Sequence, residues 1–575
     1  MTTLRKLLVA GLGLVAIAAI GGMVGRPAGQ PIYPRAVADQ DAALDPEGNP
    51  ELARVGDVPD DEPVVFSLAL DLPGRAALDR FLAALNDPAS PDFRRFLSPE
   101  AFGQRFGLSD AELGRVGRWL RRHGFEIVEQ FPQRTGLRVR ATAATIRVEL
   151  GVQLEAVQDG SGRISHRPVG EARVPRPLRG AVTAISGLDN TTRPRPRMAS
   201  VHDIPLIGLQ PLDIERAYEI GDLRAAGIDG NGEYVAVVSW DTFLDSDIAT
   251  FDKRVGITSE KVERVYVGDR VSKPGEGTSE VNLDIDVIRM IAPGARILNF
   301  ETDDGSLSNG DMVEAVVKDG RAKTATISWG WCLSVNDRVY GKDKIFADED
   351  KYKSAIAAGV NVFIASGDSG PYSCRHGNRA DLRLDPDATA SSPSVIDVGG
   401  TLLAVREDGT YLSEAAWEWP IAGEASGGGP TVTFPRPDWQ AGPGVVNEHS
   451  NGMRQSPDVS GPADCASGFY VYYHDSNGET EGPWGCGTSA ASPFWAAITA
   501  LIRHNAREHG IVNIGQLNPI LYRLAAGDAR GDLFHDVTRG ANLLYDATLG
   551  WDWATGLGSP RVGPLAQAII DELSH

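Results

Sequence analysis

Beyond residue 209 the chain repeats a pattern that few folds can satisfy: short, continuous apolar runs separated by helical stretches. The runs read "EYVAVVSW", "ARILNF", "TATISWG", "NVFIASG" and "SVIDVGG". A strand with one wet face alternates apolar and polar residues, whereas a strand apolar throughout is covered on both faces. Such runs joined by helices predict an α/β domain built on a doubly wound parallel sheet. Ligands reach sheets of this kind at the C-terminal ends of the strands. Two Gly-rich stretches, "ASGDSGPYSC" (365–374) and "GCGTSAASPFWAA" (485–497), are the candidates for that position.

At 575 residues the chain is too long for one core. Upstream, "EPVVFSLALDLP" reads as a strand and "GRAALDRFLAALND" as a helix with a stop signal. The stretch "SPEAFGQRFGLSDAELGRVGRWLRRHGFEIVEQ" reads as two short helices and a strand, with Ser98 and Ser109 as N-caps. Residues 61–190 are therefore expected to form a smaller α+β domain. It is followed by an Arg/Pro linker at 191–205, open to proteolysis, and by the main domain at 206–575. Residues 27–60, rich in Pro, Asp and Gly, read as another linker. Residues 1–26 carry Arg5 and Lys6 ahead of an apolar run, Leu7–Val24, the pattern of an export signal. The length of that run leaves an uncleaved membrane anchor open. A secreted, extracellular or periplasmic protein is expected.

Export permits disulfides. The four cysteines, Cys332, Cys374, Cys465 and Cys486, form no CxxC pair, so one or two structural disulfides are expected rather than a metal cluster, with the pairing open. Charge divides unevenly. Residues 101–200 hold 17 Arg against 9 Asp and Glu, while 201–575 hold 30 Lys and Arg against 54 Asp and Glu. This split points to one domain docking on the other rather than to nucleic-acid binding, although two independently solvated surfaces would account for it equally well. Nothing signals an oligomer, and a monomer is expected.

The Gly-Asp-Ser-Gly at 367–370 looks like the setting of a trypsin-like nucleophile, but it ends a strand of an α/β domain rather than lying in a β-barrel. Ser489 stands instead at the start of a predicted helix, "SAASPFWAAITALIRHN", where backbone N–H groups favour an oxyanion. Subtilisin-like enzymes share a Gly-Thr-Ser with a nearby Pro, but pair it with a His-Gly-Thr. Of the ten His here only His123, His376 and His509 precede Gly, and none of them continues with Thr. A carboxylate base is the other choice. In "GTSEVNLDIDVIRMIAPGARI", Glu280 and Asp284 lie four apart on one helix face. Taken alone they read first as an acidic first turn complementing the helix dipole.

The surrounding motifs decide between these. "FLSPEAFGQRFG", "EVNLDIDV" with "APGA", "TISWG", "ASGDSG", "SSPSVIDVGGT", "SPDVSGPAD", "GTSAASP", "LNPILYRL" and "FHDVT…GWDWATGLGSP" occur in that order. Together they resemble the sedolisin family of serine-carboxyl peptidases, including kumamolisin-like enzymes, with its activation prodomain. The resemblance spans nearly the whole chain after the export segment. It implies a subtilisin-like catalytic domain behind a ferredoxin-like prodomain, made as a zymogen whose prodomain inhibits it and whose substrates are proteins or peptides. It also implies Ser489 as nucleophile, Glu280 as its general base, Asp284 orienting Glu280, and Asp368 stabilising the oxyanion, with Ser369 structural. It further implies one structural Ca²⁺, held by the carboxylates of Asp536 and Asp552 and the carbonyls of Val537, Thr548 and Gly550. Hard Ca²⁺ suits that oxygen set.

Several residues depart from the family pattern. Some members carry a further Glu on the first strand after the prodomain, where "VAVVSWD" offers Ser239 or Asp241, so a shorter or rewired network is expected. Thr548 stands where Gly is commoner. Cys486, unusual beside the Gly-Thr-Ser, would tie that loop to Cys465. Carboxylates in all three supporting roles imply an acid optimum, about pH 3–5 from ordinary carboxylate pKa values. Two rival readings remain at this stage: a neutral subtilisin-type peptidase, and an inactive secreted binding protein on the same fold.

Overall fold

The computed structural model describes residues 52–574, apart from 160–161, 192–193, 197–207, 269, 377–380 and 476–477. The expected export segment 1–26, the linker 27–60 up to residue 51, and most of the linker 191–205 lie outside the described residues.

The N-terminal unit is built on four antiparallel strands in the spatial order Glu126–Gln130, Gly136–Thr142, Pro63–Leu70, Val182–Ser186. Helices fill the two crossovers, Arg75–Leu85 to Arg122 in the first and Ala143–Leu150 in the second. That βαββαβ order is the ferredoxin-like arrangement. Both expected caps are present. The Ser98 hydroxyl accepts from the Ala101 N–H at 3.2 Å, and Ser109 forms a reciprocal capping box with Glu112. The boundary of the expected 27–60 linker needs correction, because Ala53–Asp57 is a strand paired with Gln153–Gln158. Its Arg-Val-Gly-Asp sequence alternates too briefly beside prolines to announce a strand.

The second unit centres on a sheet ordered 263–266, 296–301, 234–239, 324–327, 361–365, 396–405, 411–416. Every pairing up to 396–405 is parallel, and Tyr411–Ala416 turns back antiparallel. Val235, Val237, Phe363 and Ile364 are wholly buried. Helices Thr278–Ile291 and Thr488–Glu508 pack together on one face. Helices Asn309–Asp319 and Lys344–Ala357 pack together on the other. From strand 234–239 the chain moves outward to one side, returns, and crosses to 324–327 on the other. The reversal opens a crevice beyond the C-terminal ends of those strands.

The ferredoxin-like unit sits on the face carrying helices 309–319 and 344–357. Arg138 meets Asp304 at 2.8 Å, and the Arg75 Nε reaches Asp350 at 3.1 Å, as the charge split suggests. Pairs of the opposite sense stand beside them: Lys318 with Glu129 at 2.5 Å and Lys353 with Asp79 at 2.7 Å. The docking thus uses both polarities. Beneath it, Lys344 and Lys351 are buried among Asp311, Glu314 and Asp348, and Glu314 also accepts from Thr135 of the docked unit.

Candidate active site

The helix Thr488–Glu508 begins at Gly487, whose φ of 86° is a backbone angle that glycine adopts without cost. Ser489 is therefore the second helical residue, as its sequence setting suggests. Asp368, at the end of strand Asn361–Ala365, caps this helix. Its Oδ1 accepts from the Thr488 N–H at 2.8 Å and from the Thr488 hydroxyl at 2.7 Å. Two donors on one oxygen fix the plane of the carboxyl group next to Ser489. Thr488 in turn accepts from the Gly367 N–H at 3.0 Å, so the Gly-Asp-Ser-Gly and Gly-Thr-Ser stretches lock together.

Pro493 follows Ser489 by four residues. Lacking an N–H, it cannot donate to the Ser489 carbonyl as a helix would require. The Ser328 hydroxyl lies 3.3 Å from that carbonyl and 2.6 Å from Asp284 Oδ1. The Ser489 hydroxyl donates to the Ser328 carbonyl at 3.5 Å. Ser328, just past strand Thr324–Ile327, thus joins the serine helix to the carboxylate helix, a contact that no sequence pattern announced.

Glu280 and Asp284 lie one turn apart on helix Thr278–Ile291, and both are wholly buried, as is Ser489. Burial pushes the Asp284 carboxyl well above the usual carboxylate range, and the Ser328 hydroxyl only partly offsets this. Of the two departures on the first strand, the Ser239 hydroxyl lies 3.0 Å from the Asp241 carbonyl and 3.1 Å from Asn299, inside the body. The Asp241 carboxylate accepts from the Gly275 and Gly277 N–H groups, immediately before the helix of Glu280. Trp329 is buried and tilted against Trp240 with ring centres 6.0 Å apart.

One further strand pair enters this crevice. Arg195–Pro196 runs antiparallel to Trp329–Gly330, with Trp329 opposite Pro196 and Gly330 opposite Arg195. Since Trp329 follows Ser328 directly, a peptide backbone on this edge leads to Ser489. The disulfides Cys332–Cys374 and Cys465–Cys486 brace the two flanks. One ties the end of this edge to the Asp368 loop, and the other reaches to within three residues of Ser489.

Residues 50–191 match the model described as "Pro-kumamolisin, activation domain". The chain is 30% identical over 515 residues to kumamolisin of Bacillus sp. (strain MN-32), across 84% of this chain and 88% of that protein. It belongs to the sedolisin family of serine-carboxyl peptidases. Sedolisin of Pseudomonas sp. (strain 101) is 27% identical over 532 residues, across 87% and 86%. A solved Pseudomonas sedolisin, complexed with pseudo-iodotyrostatin, overlays with a TM-score of 0.53 at 26% identity, across 64% of this chain and 99% of that one. As in that family, an activation prodomain precedes a serine-type peptidase domain with a large parallel sheet.

Of the residues expected at a cation, the structure pairs Asp536 with Gly550 and Asp552 with Thr548. Asp536 Oδ2 accepts from the Gly550 N–H and Asp552 Oδ2 from the Thr548 N–H, each at 3.1 Å. Burial pushes the Asp552 carboxyl up to about 7, four donors from Thr548, Ala554 and Thr555 notwithstanding. A buried acid held that high gains most from a nearby cation. The Arg530 guanidinium, 3.1 Å from Asp536 Oδ1, shares the other carboxylate. Two carboxylates with the carbonyls of the same loop make a hard oxygen donor set, so the residues fit Ca²⁺.

Proposed function

We propose that this sedolisin-family peptidase is an exported endopeptidase zymogen that works in acid, with Ser489 as nucleophile, Glu280 as general base, Asp284 orienting Glu280, and Asp368 stabilising the oxyanion. The Ser489 hydroxyl attacks the scissile carbonyl while Glu280 takes its proton. Glu280 then returns that proton to the departing amine, and water releases the acyl group by the same route reversed. Asp284, on the next turn of the same helix, retains its proton because burial disfavours its charge, and can donate to Glu280. Asp368 has to be protonated to bond a developing O⁻, and acid solution supplies that proton.

The observation that carries this reading is the Ser328 bridge, which draws the carboxylate and serine helices together at the mouth of the strand edge that Arg195–Pro196 occupies. Recognition by that edge is backbone pairing, which suits protein and peptide substrates. The same strand pairing supports the prodomain as an intramolecular inhibitor, with the maturation cut in the 191–205 linker. Export is supported by two disulfides, which persist in oxidising compartments. One Ca²⁺ would be held by Asp536, Asp552 and the carbonyls of Val537, Thr548 and Gly550, supplying charge that lets the loop close. We treat the active unit as a monomer.

Casein hydrolysis at pH 4 decides the matter. Wild type should cleave, while Ser489→Ala and Glu280→Gln should each lose at least about 10³-fold in kcat. A fully active Glu280→Gln, or a higher rate at neutral pH than at pH 4, would overturn the assignment.

A further inference from the structure

We propose that Asp241 is a positioning residue for the proton-accepting carboxylate: it pins the start of the Glu280 helix against the strand edge that receives peptide. The inference rests on the reading of Glu280 as general base.

The cap residue of helix Thr278–Ile291, Gly277, has no side chain with which to cap the first turn. Asp241 serves that end from outside. Its Oδ1 accepts from the Gly275 N–H at 2.9 Å, and its Oδ2 from the Gly277 N–H at 2.8 Å. Gly277 is the cap residue, three positions before Glu280, so fixing its N–H fixes the azimuth at which Glu280 leaves the helix. A carboxylate at a helix N-terminus also complements its dipole.

The third member of the joint is Trp329. A methyl group placed on Gly277 would stand 2.3 Å from Trp329 Cη2 and 3.2 Å from the Asp241 carboxylate. Gly277 is therefore squeezed between the carboxylate that holds it and the indole of the residue paired with Pro196. Peptide edge, Gly277 and the Glu280 helix form one mechanical unit with Asp241 behind it.

Asp241 is itself braced rather than free to swing. Its Oδ1 also accepts from the Thr242 N–H at 2.7 Å. The Thr242 hydroxyl donates to Glu301 at 2.8 Å, and Asn299 donates to the same Glu301 oxygen at 2.8 Å. Ser239 and Asn299 sit beneath, the Ser239 hydroxyl 3.0 Å from the Asp241 carbonyl. This polar braid spans the C-terminal ends of strands 234–239 and 296–301, on one side of the crevice.

The test uses the full-length zymogen matured at acid pH, with a peptide substrate. Asp241→Asn and Asp241→Ala should lower kcat about 10- to 100-fold, the scale of a displacement near 1 Å, with KM within about threefold. Gly277→Ala, which loads the same joint from the other side, should show the same split. Asp286→Ala is the control. Asp286 is buried on the same helix and accepts from the Tyr472 N–H, so its loss should lower the melting temperature and leave kcat unchanged. If Asp241→Ala does not fold, Asp241→Asn and Gly277→Ala carry the decision. Unchanged kcat in both, or a loss that merely tracks melting temperature across all four variants, overturns the proposal. An active Glu280→Gln would instead remove the reading beneath it, whatever the Asp241 variants do.

Discussion

Pro493 leaves the Ser489 carbonyl without a helical donor, and the hydroxyl that lies 3.3 Å from it belongs to Ser328. The same hydroxyl is 2.6 Å from Asp284, so a gap in one helix is filled by a residue that also holds the next. Ser328→Ala should therefore do two things. Losing hydrogen bonds in a buried site should destabilise the peptidase domain by about 1–3 kcal/mol. Freeing Asp284 should lower kcat about tenfold or more, with KM little changed. Melting curves and steady-state kinetics at pH 4 read both, and a purely thermal effect would argue against a bridging role.

The buried carboxyls make stability depend on pH. Burial pushes Glu349 up to about 7, opposed by Lys353, Ser392 and Ser394. The folded form thus binds a proton that the unfolded chain holds only below about 4.5. That contribution is fully present below pH 4.5 and is lost as pH rises through 7. It amounts to about 3 kcal/mol at most. Asp284 and Asp286 are raised in the same sense by burial. The melting temperature should fall between pH 5 and pH 8, and Glu349→Gln should flatten that fall. A profile unchanged by the substitution would contradict the assignment.

Prodomain docking should show the opposite sign at His166. This residue lines a cavity of about 510 Å³ shared with Asp304 and Ser306 of the peptidase domain. Burial lowers its pKa, against the pull of Asp189, Asp304 and Glu62. A depressed imidazole supports docking above its ordinary value near 6.5, and that support is lost as pH falls. His166→Gln, which cannot gain the proton, should shift the midpoint of acid processing to lower pH on a gel-based time course. An unmoved midpoint would assign the acid response to other groups.

Chelation should report on the Asp536–Asp552 loop. If Ca²⁺ binds there well below its ambient concentration, removing it costs about 3 kcal/mol and lowers the melting temperature by about 5 °C or more. Asp552→Asn should abolish the response to chelator. A melting temperature indifferent to both would exclude a structural cation at this loop.

Much of this was legible in the chain. The apolar runs gave away the parallel sheet because covered strands cannot hide their composition. The adjacency of Glu280 and Asp284 was visible because a helix converts a spacing of four into one turn, although only the family resemblance raised the pair above an acidic first turn. Ser489 was visible for the same local reason, a glycine turn opening a helix. The contacts that escaped are all between segments distant in sequence. Ser328 and Asp241 are ordinary residues at strand ends, and only the crossover order of the sheet brings them to the helices they serve. The pairing of Cys332 with Cys374 was hidden likewise. The docking face could not be read from net charge, because Lys318–Glu129 and Lys353–Asp79 run against the overall sign.

The strand at Arg195–Pro196 has a kinetic consequence. While tethered, it competes for the Trp329–Gly330 edge at an effective concentration on the order of millimolar, which few diffusing peptides could match. One cut in the tether turns it into a solute whose grip weakens with every dilution. For an exported zymogen, as proposed above, that loss is a ratchet: leaving is easy, return is rare, and each molecule switches on once.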